Sequence, residues 1–542
     1  MRAVASTLTA ETIFATFELA VNRWRDRPFL RAPSEALQGG EAVSYTFGQA
    51  ARRVETLETR YAAAGYGPGH RVGLALDNHP EFFLHFLSLN ALGISVVPLS
   101  SAMRDAELAQ IVALADMDLI VSWPVHLKTH GGIASTARAT LPTADANTEF
   151  VPRASRSPET RKSGPADEAA LVFTSGTTGT PKGCVLSNDY FVWMGRFYTH
   201  LDGYCAFRPE GERLITPLPV THMNALASSF MATMMSGSCL IQLDRFHAST
   251  WWQTARYEGA TIAHYLGVMP AVLLQRPNLP EEYTGHQIRF GFGAGVDPRH
   301  HALFEERYGF PLIEAWAMTE TGAGAWISAN REPRHVGKRC FGRPPADLEI
   351  RLVNETGEDV ADDESGELLV RARGDDPRRH FFSGYRNDPA ATEAAWEGGW
   401  FHTGDIVRRD AEGSIFFVDR SKNIIRRSGE NIASVEVENT LLQHPAVEHC
   451  AVLPVNDEIR GEEVMALIEA NTPAPDLALA ENITRFCLER LQYFKAPGYI
   501  SFVDALPTTE SQKFRRGEIR ELGRTLLEQR RSHDLRTLKR GS

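Results

Sequence analysis

The first hundred residues alternate between helical and extended patterns of apolar side chains. Residues 47–64 have apolar positions at helical spacing, and residues 71–76 form a short apolar run typical of a strand. The apolar window that starts at residue 82 predicts a buried helix ending at Gly93, and residues 94–97 predict the next strand. Because strands that alternate with helices usually pair in parallel, the sequence predicts a layered α/β domain with a largely parallel sheet.

A second apolar run, at residues 169–173, predicts a buried strand that leads into a loop rich in glycine and threonine. The loop reads TSGTTGTPKG over residues 174–183. Its backbone amides, its hydroxyl groups and the Lys182 ammonium suit a polyanion, above all a nucleotide phosphate tail. It is not a P-loop, because Pro181 precedes the lysine and Gly183 follows it. A Gly/Thr-rich surface turn is the alternative interpretation.

Residues 288–309 predict a strand, a glycine turn and a helix. Asp297 suits the helix N-cap, Pro298 the first helical position and Gly309 the C-terminal end. A Rossmann dinucleotide turn is the competing interpretation, but Val296 stands where that fingerprint requires its third glycine. The pattern therefore favours a strand–turn–helix unit of another kind.

The C-terminal part of the chain has a different organisation. Short strands between acidic and glycine-rich turns dominate residues 341–417 and predict a small antiparallel β subdomain. Beyond it, strands and helices predict a compact α+β domain. We place the domain boundary after residue 420, so that residues 1–420 form the large N-terminal domain and residues 421–542 the C-terminal domain. The basic segment 528–540 is predicted to be a solvated end.

Composition narrows the range of functions. A chain of 542 residues is too long for one simple core. With 57 basic and 68 acidic residues its net charge is −11, which argues against a general role at nucleic acids or membrane surfaces. The six cysteines show no C-x-x-C spacing, so neither a disulfide framework nor a zinc site is indicated. With no signal peptide or membrane span predicted, we expect a cytoplasmic protein with small-molecule partners.

The loop TSGTTGTPKG resembles the phosphate-binding loop of the adenylate-forming superfamily, which includes acyl-CoA synthetases, luciferases and peptide-synthetase adenylation domains. Further matches follow in family order: AWAMTET from residue 315, GWFHTGD ending at Asp405, and LPTTESQK ending at Lys513. The resemblance extends from about residue 40 to residue 520. The segment FVDRSKNIIRRSGENIASVEVEN looks most like the carnitine/crotonobetaine-type CoA ligases.

The resemblance implies roles for individual residues. Those that would bind the phosphates are Thr174, Ser175, Gly176, Thr177, Thr178 and Lys182. Those that would contact the rest of the nucleotide are Gly293, Ala294, Gly295, Trp316, Ala317, Asp405 and Arg420, with both carboxylate oxygens of Asp405 on the ribose. Thr319 would touch the α-phosphate, Glu320 would hold Mg²⁺ and His222 would line the acyl pocket.

The resemblance also assigns functions to the C-terminal domain, as a mobile lid. Lys422 would be its hinge and Lys513 the catalytic lysine. Ser428, Gly429 and Glu430 would line the channel for coenzyme A, and two neighbouring arginines, Arg426 and Arg427, would suit its phosphates. The sequence departs from the family at three positions: Trp316 replaces tyrosine, Ala317 replaces glycine and Gln512 replaces glycine.

The activity implied is the ATP-dependent ligation of a carboxylic acid to coenzyme A. The acid would attack the α-phosphorus of MgATP and release pyrophosphate, and a thiol would then attack the acyl-adenylate and release AMP. Two alternatives remain: an enzyme that passes the adenylate to a carrier protein or another acceptor, and a non-catalytic nucleotide-binding relative. The motifs leave open which acid is used and whether the protein is a monomer or a homodimer.

Overall fold

The computed structural model describes residues 10–34, 40–101, 103, 105–129, 140–142, 151–174, 181–354, 356–420, 424–507 and 516–540. These residues pack into two compact units. The first unit draws on residues 1–101, 112–172 and 183–419, and the second on residues 102–111, 173–182 and 420–542. Strands and helices carry numbers in chain order. The domain boundary predicted after residue 420 stays a prediction.

One sheet has seven strands and is mainly parallel, as the alternating pattern predicted. The strands are β3 (Arg71–Ala75), β4 (Ser95–Pro98), β5 (Leu119–Ser122), β6 (Thr140–Pro142), β7 (Glu168–Thr174), β8 (Lys182–Ser187) and β18 (Gly384–Tyr385). Their spatial order is β18-β8-β7-β4-β3-β5-β6. β3 pairs in parallel with β4 and β5, and β4 with β7, whereas β18 is antiparallel to β8.

A second sheet of the first unit has eight strands. They are β1 (Pro28–Ala32), β2 (Val43–Thr46), β9 (Arg213–Thr216), β10 (Cys239–Gln242), β11 (Ile262–Leu266), β12 (Phe290–Ala294), β13 (Leu312–Trp316) and β14 (Ile327–Ser328). Their order is β14-β13-β12-β11-β9-β10-β1-β2, with antiparallel strands only at the two edges. Because β11, β12 and β13 are parallel, their carboxyl ends lie along one edge of the sheet, where ligands commonly bind.

Helices alternate along the chain with the strands of both parallel sheets. They are α1 (Ile13–Trp24), α2 (Phe47–Ala63), α3 (Pro80–Ala91), α4 (Asp105–Ala115), α5 (Pro124–Thr129), α6 (Asn188–His200), α7 (Phe230–Ser236), α8 (Trp251–Tyr257), α9 (Val268–Gln275), α10 (Pro280–Tyr283), α11 (Pro298–Tyr308) and α12 (Pro389–Ala395). The predicted ends of α11 are confirmed: the Asp297 side chain accepts from the Arg299 amide, and Gly309 adopts φ +78°. The predicted buried helix is α3, whose Phe83 ring stacks on Phe230 at 4.5 Å.

The predicted antiparallel subdomain is a separate five-stranded sheet. Its strands are β15 (Cys340–Gly342), β16 (Leu348–Val353), β17 (Ser365–Ala372), β19 (Phe401–Arg409) and β20 (Ile415–Arg420), in the order β15-β20-β19-β17-β16. Alternate residues of β19 are buried, as expected for a sheet with one face on the core. Asp405, one of the predicted nucleotide-binding residues, lies on β19 of this sheet.

The second unit has the α+β composition that the sequence predicted. Its strands are β21 (Ile424–Arg427), β22 (Glu430–Ala433), β23 (Val447–Asp457), β24 (Gly461–Ala470), β25 (Tyr499–Phe502) and β26 (His533–Asp534), and its helices are α13 (Ser434–Leu441), α14 (Leu477–Leu488) and α15 (Arg516–Glu528). The strands form one mixed sheet. None of the described helices combines the length and apolar character that crossing a lipid bilayer requires.

The C-terminal segment is not the solvated end that the sequence predicted. Lys539 is only 3% exposed, and its ammonium donates to Glu463 Oε1 at 2.6 Å and to the Ala496 carbonyl at 2.6 Å. Leu535 is buried as well, and β26 pairs with β25. The basic composition suggested solvation, but the lysine is paired with a buried carboxylate, which composition alone does not reveal.

All six cysteines lie among the described residues, are buried, and form no disulfide. Burial raises the pKa of Cys239 and of Cys340 to about 11 and that of Cys487 to about 12. The thiol groups of these three residues therefore stay protonated at neutral pH and behave as small apolar side chains of the core.

Glu305 on α11 anchors the first residue of β13. Its carboxylate accepts from both terminal nitrogens of Arg334, at 2.7 and 2.8 Å, and from the Leu312 amide at 2.8 Å. Burial alone would raise the pKa of Glu305, but hydrogen bonds from Arg334, His301 and the Leu312 amide outweigh burial and lower it to about 2. The ionised carboxylate thus helps to fix the strand that leads into the site.

Replacing Glu305 by glutamine is expected to destabilise the first unit at neutral pH and to reduce its loss of stability in acid. A pKa of about 2 in the folded protein, against 4.5 ordinarily, gives a contribution that is full above pH 4.5 and disappears as the pH falls towards 2. Urea unfolding at pH 7, 4 and 3 measures the change. The exposed neighbour Glu306, replaced by glutamine, is the control, and identical pH profiles for both variants would contradict this role.

Candidate active site

The turn at the carboxyl end of β12 needs glycine at two of its positions, 293 and 295. Gly293 pairs with Tyr265 of β11, and a Cβ atom on Gly293 would lie 2.0 Å from the Tyr265 carbonyl oxygen. Gly295 has φ +80°, a backbone conformation that L-residues with side chains rarely adopt. Gly293 is thus packed against β11, whereas Ala294 and Gly295 are exposed at the carboxyl end of β12 and accessible to a flat ligand.

Glu314 holds this turn in place and was missed in the sequence. Its carboxylate accepts from the Gly295 amide at 3.0 Å, the Val296 amide at 3.1 Å and the Tyr265 hydroxyl at 2.9 Å. Burial raises the pKa of Glu314, and these donors partly offset the effect. A glutamate inside the apolar strand PLIEAW was the available signal, because a buried carboxylate requires nearby donors.

Trp316 and Asp405 meet at the carboxyl end of β13. The indole Nε1 donates to Asp405 Oδ2 at 2.8 Å, and the Trp316 ring stacks on Phe341. Asp405 is 1% exposed, and its own amide donates to Thr403 Oγ1 at 3.0 Å. Each oxygen of the carboxylate has two lone pairs, so the Asp405 side chain can accept hydrogen bonds from ligand hydroxyl groups in addition to the one from Trp316.

Thr319 and Glu320 follow Trp316 in the turn after β13. The Tyr190 hydroxyl donates to the Thr319 carbonyl at 2.9 Å, and the Tyr385 hydroxyl donates to Glu320 Oε1 at 3.0 Å. Burial and the charge of Glu320 raise the pKa of Tyr385, so its hydroxyl keeps the proton that it donates. Glu320 is thereby held in one orientation between Trp316 and β18.

Tyr385 connects strand β8 to this turn, because it pairs with β8 and its hydroxyl donates to Glu320. Tyr385 pairs with Cys184, and the Arg386 amide donates to the Gly183 carbonyl at 2.7 Å. Thr174 is the last residue of β7 and Lys182 the first of β8. The glycine-rich loop is therefore flanked by two strands, as its sequence predicted.

His222 lies two residues before an unusual helical turn. It is exposed, and its amide donates to the Pro219 carbonyl at 3.0 Å. Residues Asn224–Ser229 form a π-helical turn, a feature often found at functional sites. The assignment of His222 to the acyl pocket stays a prediction.

Several predicted site residues lie outside the described residues. They are Ser175, Gly176, Thr177 and Thr178 of the glycine-rich loop, Lys422 of the predicted hinge, and Lys513. Arg420 is the last residue of β20. Ala294 is the last residue of β12, and Ala317 directly follows the last residue of β13. The roles of these residues stay predictions.

In the second unit, Ser428 and Gly429 form the tight turn between β21 and β22. Both have positive φ angles, +52° and +86°, and Arg427 pairs with Glu430 across the turn, which is typical of a type I′ hairpin. The expectation that Arg427 serves coenzyme A phosphates is wrong. Its guanidinium is buried and donates to Glu463 at 2.8 Å, the carboxylate that also accepts from Lys539, so the arginine is held inside the unit and is not exposed to a ligand.

The described residues do not provide a complete metal site of their own. No three histidine, cysteine, aspartate or glutamate side chains in this part of the chain group closely enough to hold an ion. A single oriented carboxylate such as Glu320 fits Mg²⁺ that arrives with a nucleotide, because Mg²⁺ usually takes one or two carboxylates and completes its shell with phosphates and water. The donor set thus suits MgATP.

Comparison with protein families identifies the chain. A model described as AMP-binding enzyme matches residues 17–385, and one described as AMP-binding enzyme C-terminal domain matches residues 436–513. The chain belongs to the AMP-binding enzyme family. The first match includes Glu320 and both parallel sheets, and the second includes most of the second unit.

Individual relatives of this AMP-binding enzyme are named CoA ligases. Sulfoacetate–CoA ligase of Cupriavidus necator is 31% identical over 519 residues, which cover 93% of this chain and 97% of that protein. Crotonobetaine/carnitine–CoA ligase of Salmonella arizonae is 28% identical over 491 residues, covering 88% and 92%. The solved structure of a double mutant of o-succinylbenzoate CoA synthetase from Bacillus subtilis has the same fold, with a TM-score of 0.78, 23% identity and coverage of 93% and 98%.

These matches confirm the predicted superfamily and its mixed α/β fold. They also confirm, at the level of the family, the class of AMP-forming CoA ligase with ATP, Mg²⁺ and coenzyme A. The assignment of roles to individual residues of this AMP-binding enzyme remains a matter of proposal.

Proposed function

We propose that this AMP-binding enzyme joins a short carboxylic acid to coenzyme A at the carboxyl edge of β11–β13. The observation that carries the proposal lies in the segment Trp316–Glu320: Trp316 donates to the buried carboxylate of Asp405, and Glu320, also buried, follows four residues later. One acid suits the ribose hydroxyls and the other suits a cation on the phosphates. The glycine turn at residues 293–295 offers a surface for the adenine.

In the first half-reaction, a carboxylate oxygen of the acid bonds to the α-phosphorus of ATP while the bond to pyrophosphate breaks. The negative charge of the acid and of the phosphates raises the activation barrier, and preorganised donors lower that barrier by stabilising the charge. We assign Thr319 and Lys513 to the α-phosphate and Glu320 to the cation, with Tyr385 holding Glu320 in place. When bound, Mg²⁺ neutralises charge on the phosphates.

In the second half-reaction, the thiol of coenzyme A attacks the acyl carbon of the adenylate and AMP leaves. The family resemblance supports Ser428, Gly429 and Glu430 as the residues that guide this thiol. The tight hairpin at Ser428–Gly429 supports the assignment, because a serine and a glycine put little side-chain bulk on the turn. Arg426 remains a candidate for the phosphates, whereas Arg427 does not.

The relatives support a proposal about the size of the acid. The two named ligases act on sulfoacetate and on crotonobetaine or carnitine. The acids in both names are short, which supports a short acid here. We further propose a cytoplasmic monomer or homodimer; the six buried, unbridged cysteines support a reducing compartment.

The experiment is to offer a panel of short carboxylic acids with ATP, Mg²⁺ and coenzyme A and to record AMP. AMP that requires both the acid and coenzyme A, together with the acyl-CoA detected by mass, is the expected result. Pyrophosphate release that needs the acid but gains nothing from coenzyme A would favour transfer to another acceptor. If none of the acids in the panel leads to AMP formation, the proposal is contradicted.

A further inference from the structure

The π-helical turn after His222 contains a buried hydrogen-bond network that the proposed reaction does not use. His264 of β11 is at its centre, fully buried, with Nδ1 2.6 Å from Asn224 Oδ1 and 2.8 Å from Ser229 Oγ. Its Nε2 lies 2.7 Å from the Tyr198 hydroxyl. Ser229 Oγ also donates to the Asn224 carbonyl at 2.9 Å, which closes the turn.

The positions of the protons in this network follow from its acceptors. Among the described residues, His264 Nε2 is the only acceptor within reach of the Tyr198 hydroxyl, so Tyr198 donates to it. Burial lowers the pKa of His264 to about 3, which leaves the imidazole neutral with one proton, on Nδ1. That proton is donated towards Asn224, so the amide presents its oxygen, and not its nitrogen, to His264.

The amide nitrogen of Asn224 therefore faces away from His264 with two protons to donate. Within the described part of the chain, no acceptor contacts this nitrogen, and Asn224 is only half-buried. His264 pairs with Phe292, one residue before Gly293 of the glycine turn. The imidazole that orients the Asn224 amide therefore belongs to the strand next to β12, which ends in the glycine turn that we assign to the adenylate.

A second donor lies beside the same network. The Trp326 ring contacts Tyr198 and Phe292, each at 5.7 Å between ring centroids, and His264 contacts the same two rings at 5.5 and 5.6 Å. Trp326 is 3% exposed, and its indole Nε1 has no hydrogen-bond acceptor among the described residues. A buried donor without an acceptor is unfavourable, so an acceptor supplied by a ligand would be stabilised there.

We infer that Asn224, with Trp326 as a second donor, determines specificity by binding an oxygen acceptor at the far end of the acid. The inference rests on the proposed function and narrows its substrate to short acids with a terminal carboxylate, sulfonate or hydroxyl. A plain alkyl acid would leave both donors unpaired. Sites built to hydrogen-bond a substrate discriminate strongly against analogues that lack the group.

The test compares acids of matched length with and without the acceptor: glutarate and 4-hydroxybutanoate against pentanoate, and 3-sulfopropanoate against butanoate. Wild type is expected to show the higher kcat/KM for the acceptor acid in at least one pair. Asn224→Asp keeps an oxygen towards His264 and replaces the donor by a carboxylate. It is expected to lower that preference by about 10- to 100-fold, the effect of one hydrogen bond to a charged group.

Asn278→Asp is the matched control, because the exposed Asn278 also accepts through Oδ1, from the Tyr283 hydroxyl at 2.8 Å. A melting curve for each variant confirms that it is folded. The inference is overturned if Asn224→Asp leaves the preference unchanged, or if wild type prefers the alkyl acid in every pair. Either result leaves the proposed function intact. A wild type that releases AMP with none of the acids overturns the proposed function and the inference together.

Discussion

Replacing Lys513 by alanine is expected to slow pyrophosphate release by about 10²–10³-fold while ATP continues to bind, because such a loss is typical when one preorganised donor is removed from a developing charge. The ammonium would neutralise the phosphate oxygens as the acyl–phosphate bond forms, and binding alone does not need it. Pyrophosphate release measures the rate, and calorimetry with ATP measures binding.

Two controls separate a catalytic role of Lys513 from a structural one. Arg515→Ala removes a neighbouring positive charge from the same basic stretch and is expected to leave the rate within a few-fold. A synthetic acyl-adenylate supplied with coenzyme A bypasses the first half-reaction, and Lys513→Ala is expected to convert it to thioester. Pyrophosphate release by Lys513→Ala at the wild-type rate would refute the assignment.

Replacing Asp405 by asparagine is expected to weaken AMP binding by roughly 10²–10⁴-fold. Two charge-assisted hydrogen bonds to the ribose would be lost, each worth about 1.5–3 kcal/mol. Because the Trp316 indole N–H needs an acceptor, the asparagine oxygen must face Trp316, and its NH₂ group would face the ribose hydroxyls. Calorimetric titration with AMP measures the affinity.

Trp316→Phe is the comparison for Asp405. It removes the indole donor and keeps an aromatic ring against Phe341, so we expect AMP affinity to fall by less than about tenfold, the range of one neutral hydrogen bond. A larger effect at Trp316 than at Asp405 would mean that the indole, and not the carboxylate, dominates nucleotide binding.

The fold was predictable where local signals were strong. Helix α11 has a capping aspartate, a proline at its first position and a glycine at its end, and these signals are short-range, so the sequence contains them directly. The alternation of helix and strand likewise predicted the parallel sheets. The strand pairing order, by contrast, joins distant segments such as β1 and β10, and local patterns do not encode it.

The sequence predicted which motifs contribute to the site, but it did not predict the contacts between residues of different motifs. Trp316 and Asp405 are 89 residues apart, and the bond between them depends on the contact of two sheets. Arg427 was misjudged for a similar reason: its partner Glu463 is 36 residues away, and a charged residue next to a functional motif gives no sign that it is already paired. Glu314 could have been recognised from its apolar surroundings.

The buried cysteines make a direct colorimetric assay practical. A disulfide reagent reacts with accessible thiolates, and folded protein should contribute almost no signal, because all six of its thiols are buried. The disappearance of the coenzyme A thiol can therefore be followed continuously in the presence of high enzyme concentrations. A slow rise in reactive thiols without substrate would then report unfolding of the enzyme stock.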